Sequence, residues 1–238
     1  MNSILKKATE GDWLLIMLIA ISTLFALVIS RYRNLLWKVL MAAFFKQYYI
    51  GLQREENETY KKVSLQLNFI ALLSLAMFFY LWLAKGAFLS ESWWLKTTRY
   101  HFHGFSLYLL FIGLVSLAIF SQILALRIFG WLFNTKEANK EYEFNIWLIY
   151  KLLGVFILPV LFFIAFANQG IASFLLYFSI ILFAIVLLRR YFIAFRIGWN
   201  VNSFPKIYSF LYICTIEILP LAIMVKIFRT EIQTILSF

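Results

Sequence analysis

Cysteine occurs once in the 238 residues, aspartate once, histidine twice and proline three times. Each scarcity removes a chemistry. A lone cysteine, Cys214, permits neither an intrachain disulfide nor a cysteine-based zinc site. A lone aspartate, Asp12, rules out the paired-aspartate metal sites of many alcohol-phosphate transferases. His101 and His103 stand two positions apart, so two helices cannot each contribute a histidine to a haem. The same shortage removes the serine–histidine pair that Gly104-Phe105-Ser106 would need for intramembrane proteolysis. These histidines share a face only on an extended segment, and Glu91 is their nearest carboxylate, so no metal site is expected. No glycine-rich loop ends in Lys-Ser or Lys-Thr, which excludes a P-loop. No cofactor is expected.

Charge is scarce as well, at 14% of residues against roughly a quarter in soluble domains. What fills the chain is apolar: 63% of residues are hydrophobic and 20% aromatic. A helical crossing of a bilayer takes about 20 mostly apolar residues at about 1.5 Å each. Six runs meet that length, over 13–30, 64–84, 105–126, 144–166, 171–188 and 206–226. Alternating strands of about ten residues, the mark of a membrane barrel, are absent from the pattern. The expected fold is all-α: one integral membrane domain over 1–238 with about six transmembrane helices. Lys6 and Lys7 precede the first run as in a signal peptide, but Glu10, Gly11 and Asp12 interrupt it, so a retained helix is expected.

Lysine and arginine set the expected orientation. The amino tail, the 85–105 and 167–170 connections and the carboxyl end carry 7 in total, whereas 31–63, 127–143 and 189–206 carry 14. Both termini are therefore expected outside the cell and the basic segments in the cytoplasm. The net charge of +11 then meets anionic headgroups of the inner leaflet. Nucleic acid is not an expected partner, because no basic soluble face remains to hold a duplex.

Each outward-to-inward run ends in arginine followed by aromatic or aliphatic residues, as in Arg31-Tyr32, Arg127-Ile128-Phe129 and Arg189-Arg190-Tyr191-Phe192. From Arg31 to Ile50, Leu35, Leu36, Val39, Leu40, Ala43 and Phe44 form one helical stripe, and Arg31, Asn34 and Lys38 fall elsewhere. That pattern suits an interfacial amphipathic helix after the first crossing. Trp93, Trp94, Tyr100, Phe102 and Phe105 suggest a second segment at headgroup depth. Arg127, Arg189, Arg190 and Arg196, with Lys206, could form a basic rim that contacts lipid phosphate, or could serve only as topology signals.

One acid, Glu217, falls near the middle of the sixth run. On the insertion scale it costs about 2.5–3.5 kcal/mol, and each Leu, Ile, Phe or Val around it offsets about 0.3–0.6. The helix inserts regardless, with the acid turned to the bundle. Lys151 is the best candidate partner, lying on the fourth run about 6 Å shallower by helical rise. Pro159 and Pro220 interrupt the backbone hydrogen bonding of these two runs and are expected to kink them. The pair reads either as a packing and orientation device or as a working buried polar site.

The run Tyr212-Ile213-Cys214-Thr215-Ile216-Glu217-Ile218-Leu219-Pro220-Leu221 resembles the closing signature of the DUF4271 family, multi-pass membrane proteins of Bacteroidota. Arg189-Arg190-Tyr191-Phe192, Tyr150-Lys151-Leu152-Leu153-Gly154 and Arg54-Glu55 are similar to the family as well. The resemblance implies an inner-membrane location in a Gram-negative bacterium and brings no catalytic assignment. The expected function is a non-catalytic structural or accessory subunit that meets membrane lipids and other membrane proteins. The alternative is a small proton-coupled transporter or lipid-phosphate-handling protein built on Glu217 and Lys151. An enzyme would have only Glu217 or the His101/His103 pair to work with.

Overall fold

The computed structural model describes residues 2–42, 45–54, 58–85, 104–132 and 136–200. Among them the chain forms six helices and no strand: α1 (Asn2–Ala42), α2 (Lys46–Arg54), α3 (Glu58–Lys85), α4 (Gly104–Leu132), α5 (Lys136–Phe166) and α6 (Gln169–Asn200). Five are long and apolar enough to cross a membrane, over Asp12–Ala42, Glu58–Trp82, Gly104–Ile128, Lys140–Phe166 and Gly170–Arg190. They coincide with the first five expected crossings, and the all-α reading holds. The sixth run, 206–226, with Glu217 and Pro220, lies outside the described residues.

Helices outlast their apolar runs. α5 begins at Lys136, before the run at 144, and α6 continues to Asn200, past the run's end at 188. The reason is that hydropathy marks only the length immersed in hydrocarbon, whereas backbone hydrogen bonding continues into polar surroundings. In α1 the boundary is visible in the backbone, since Tyr32 breaks the helical geometry at φ −136°, ψ 38°. From Asp12 to Arg31, α1 is about 30 Å long at 1.5 Å per residue, one hydrocarbon thickness. Beyond the kink Leu36, Val39 and Ala42 are buried while Arg33, Asn34 and Trp37 are exposed. The amphipathic stretch expected over 31–50 is thus two pieces, the end of α1 and the short α2. α2 packs on α1 and buries Leu52. Pro159 sits inside α5, which stays helical through it.

The chain divides into two compact units. The first comprises Met1–Ala118 and Ile146–Ala184. Its core joins Leu18 of α1, Ala76, Met77, Phe78 and Leu81 of α3, Tyr108 of α4, Ile157, Leu161 and Ile164 of α5 and Leu176 of α6. Trp13 packs edge-on against Tyr80 at 5.1 Å and Phe105 at 5.9 Å, so the start of α1 meets the end of α3 and the start of α4. α1 and α3 therefore run in opposite directions, as do α3 and α4. Of the expected aromatic segment, Phe105 belongs to this cluster, and Trp93, Trp94, Tyr100 and Phe102 lie outside the described residues. Within the five crossing segments about half of α3 and of α5 is buried but only 17% of α1, α4 and α6, so the former pair is the more enclosed.

Close approach of that pair is what Gly154 provides. A Cβ there would collide with the Cα and Cβ of Ala71, so the two backbones meet at a glycine–alanine contact. Two other serines in the spans turn back on their own helices. Ser22 donates to the Leu18 carbonyl at 2.7 Å and Ser179 to that of Leu175 at 2.7 Å. The second unit comprises Ile119–Asn145 and Ile185–Phe238, with Ile119, Ile123, Leu126, Tyr142, Asn145 and Arg190 buried.

Candidate functional site

Lys151 is the one buried lysine among the described residues, 3% exposed on the inward face of α5. Its position follows from the sequence around it. Leu152, Leu153, Ile157, Leu158 and Leu161 carry α5 through the core, and Lys151 stands on that same face near the helix's polar end. Its Nζ donates to Ser64 Oγ of α3 at 2.6 Å and lies 5.7 Å from the centre of the Tyr60 ring. Ser64 and Tyr60 are one turn apart on α3, so a single helix face receives the ammonium. A hydrogen bond from a cation and a ring face are two of the ways to hold a charge away from water.

The third wall comes from beyond the Tyr32 kink. Leu36, Val39 and Leu40 of α1 close over the lysine, with Leu67 of α3 and Val155 of α5. The space between them leaves no room for a water molecule. Asn68, one turn past Ser64, and Ser74 add buried oxygens to α3 that have no hydrogen bond among the described residues. Among the described residues no carboxylate pairs with Lys151, and its expected partner Glu217 lies outside them. Among the described residues the Ser64 hydroxyl and the Tyr60 ring are what Lys151 meets. Sequence reasoning missed both, because serine and tyrosine are frequent in membrane spans and carry no distinguishing spacing.

The arginines of the expected basic rim have different surroundings. In the second unit Arg127 Nη2 and Glu143 Oε1 are 2.7 Å apart, and Arg127 Nε donates to Glu143 Oε2 at 3.4 Å. The pair is open to solvent, with side chains 69% and 23% exposed. Arg190 is buried, its guanidinium 5.9 Å from the Tyr142 ring centre. Arg189 is half-buried, and nothing is described of the Arg196 side chain. Tyr142 and Asn145, three residues apart on one face of α5, are buried, and among the described residues the Tyr142 hydroxyl and Asn145 Nδ2 have no hydrogen-bond partner. An exposed ion pair contributes little, so Arg127→Gln should lower thermal stability by no more than about 1 kcal/mol. A melting series at low and high salt checks this, with the loss expected to shrink at high salt.

A family profile described as Domain of unknown function (DUF4271) matches residues 14–228. The chain belongs to this family. The DUF4271 match spans both units as well as Glu217, so every candidate residue named above falls inside it. Among curated proteins and solved structures no significant match is found. Within the described residues no three histidine, cysteine, aspartate or glutamate side chains gather as they would around a metal ion.

Proposed function

We propose that this DUF4271 protein is a non-catalytic structural or accessory subunit of a complex in the bacterial inner membrane. Both termini lie on the outer side, and the basic segments face the cytoplasm and its anionic lipids. The dry enclosure of Lys151 carries this reading. A group that loads and releases protons needs a path for water or ions, whereas this ammonium is spent on Ser64 and Tyr60 in a space too narrow for water. It ties α3, α5 and the bent end of α1 together. The outer faces of α1, α4 and α6 meanwhile present large side chains such as Leu27, Leu117, Phe120, Phe174 and Ile181. Such faces suit lateral packing with lipid and with other helices.

An ionisable residue inside a span also favours a second reading, a proton-coupled transporter using Glu217 and Lys151. The two readings separate in a deletion strain complemented by single variants. On the subunit reading Lys151→Met complements at matched abundance, and Glu217→Gln acts chiefly by lowering abundance or loosening assembly. Normal abundance with complementation abolished in either variant would favour the transporter.

A further inference from the structure

The kink at Tyr32 leaves a groove of about 290 Å³ along α1 and α3. Its walls are apolar, formed by Leu24 and Leu27 of α1 with Phe69 and Ile70 of α3. These walls lie on a lipid-facing surface, since Leu27 is 64% and Phe69 54% exposed. The polar lining gathers at one end, where Arg31 and Tyr32 of α1 meet Gln66 of α3. The Arg31 guanidinium lies 5.8 Å from the Tyr32 ring centre, is exposed, and forms no ion pair with a described carboxylate. Arg33 follows on α1, and Lys62 lies one turn before Gln66 on α3, both exposed. Arg31 also stands one hydrocarbon thickness from Asp12, at the depth where lipid phosphates lie.

We propose that this elbow binds one anionic phospholipid, an acyl chain in the Leu24–Phe69 groove and the phosphate on Arg31. A free phosphate gains nothing from the apolar walls, and a cavity at the lower end of ligand-site volumes accepts part of one chain, not a helix. The cationic end selects a negative headgroup over a zwitterionic one. This site is separate from the Lys151 enclosure, and the proposal stands whether or not the protein is an accessory subunit.

Native mass spectrometry of the full chain, delipidated in mild detergent, tests it. The chain is titrated with phosphatidylglycerol or phosphatidylcholine of equal acyl length. The wild type should take one phosphatidylglycerol in preference to phosphatidylcholine. Arg31→Gln should weaken phosphatidylglycerol about fivefold, the loss of one cation at the headgroup layer, and phosphatidylcholine less, because choline offsets its phosphate charge. Leu27→Trp, which fills the groove from a lipid-exposed position, should weaken both lipids. Leu114→Trp, exposed on α4 outside the groove, should weaken neither. Equal binding of the two lipids by the wild type, indifference to Arg31→Gln and Leu27→Trp, a matching loss in Leu114→Trp, or displacement by excess inorganic phosphate would each overturn the proposal.

Discussion

Ser64→Ala should destabilise this protein more than removal of Lys151 itself. Among the described residues the ammonium has one hydroxyl acceptor, at 2.6 Å, and the apolar space beside it is too narrow for a water molecule. Deleting that acceptor leaves a buried charge with, among the described residues, the Tyr60 ring against it. Hydrogen bonds to charged groups contribute about 1.5–3 kcal/mol, and an uncompensated buried charge lies at the upper end or beyond. Lys151→Met removes the charge along with the need to hold it. The stranded Ser64 hydroxyl can then turn to its own helix, as Ser22 and Ser179 do. Replacing a buried ionic group by an apolar one of similar shape is often neutral. The double variant should therefore recover most of the stability that Ser64→Ala loses, which a thermal double-mutant cycle in detergent measures directly. A Ser64→Ala variant as stable as the wild type would mean that another group holds the ammonium.

Gly154 sets the second large effect. Its Cα faces the Ala71 backbone so closely that any side chain must push α3 and α5 apart. Both helices are well enclosed, so a displacement is felt along the core from Ala71 through Met77 to Ile157 and Leu161. Overpacking of this kind costs about 1–3 kcal/mol for modest insertions. Gly154→Ala should fall in that range, and Gly154→Val should exceed it, because a branched side chain meets backbone and not a flexible tip. Fluorescence-detected size-exclusion profiles after a heating step would rank wild type, alanine and valine in that order. Gly51, with nothing within 4 Å of an added Cβ, is the control that should tolerate alanine at that contact.

Why some of this was legible in the sequence and some was not has a simple physical basis. Bilayer thickness fixes how long an apolar run must be, so the first five crossings and the all-α class follow from composition along the chain. The change of pattern at Arg31-Tyr32 likewise marks where α1 leaves hydrocarbon, and the backbone bends there. Lys151 stands out because a cation inside a long apolar run is expensive. Its surroundings do not stand out: Ser64 and Tyr60, which packing brings to it, carry no distinguishing spacing, and Glu217 lies outside the described residues. Arg127, a candidate lipid contact or topology signal, pairs with Glu143 while staying exposed. A signal for that pairing was present. The two residues lie at similar distances on either side of the α4–α5 connection, where an antiparallel hairpin would bring them level. The Gly154–Ala71 contact left no such trace, because small residues are common in membrane helices and only the structure shows which two meet.

On the proposed reading the bundle encloses Lys151 in its core and turns apolar outer faces to neighbouring membrane proteins. Purification of the tagged chain from its native membrane in mild detergent, at native expression, tests this most directly when sizing is combined with quantitative mass spectrometry. A second membrane protein held at constant stoichiometry, and lost when Gly154→Val disturbs the core, is the predicted result. A lone monomer in every mild detergent, with no protein held in fixed ratio, would contradict the account.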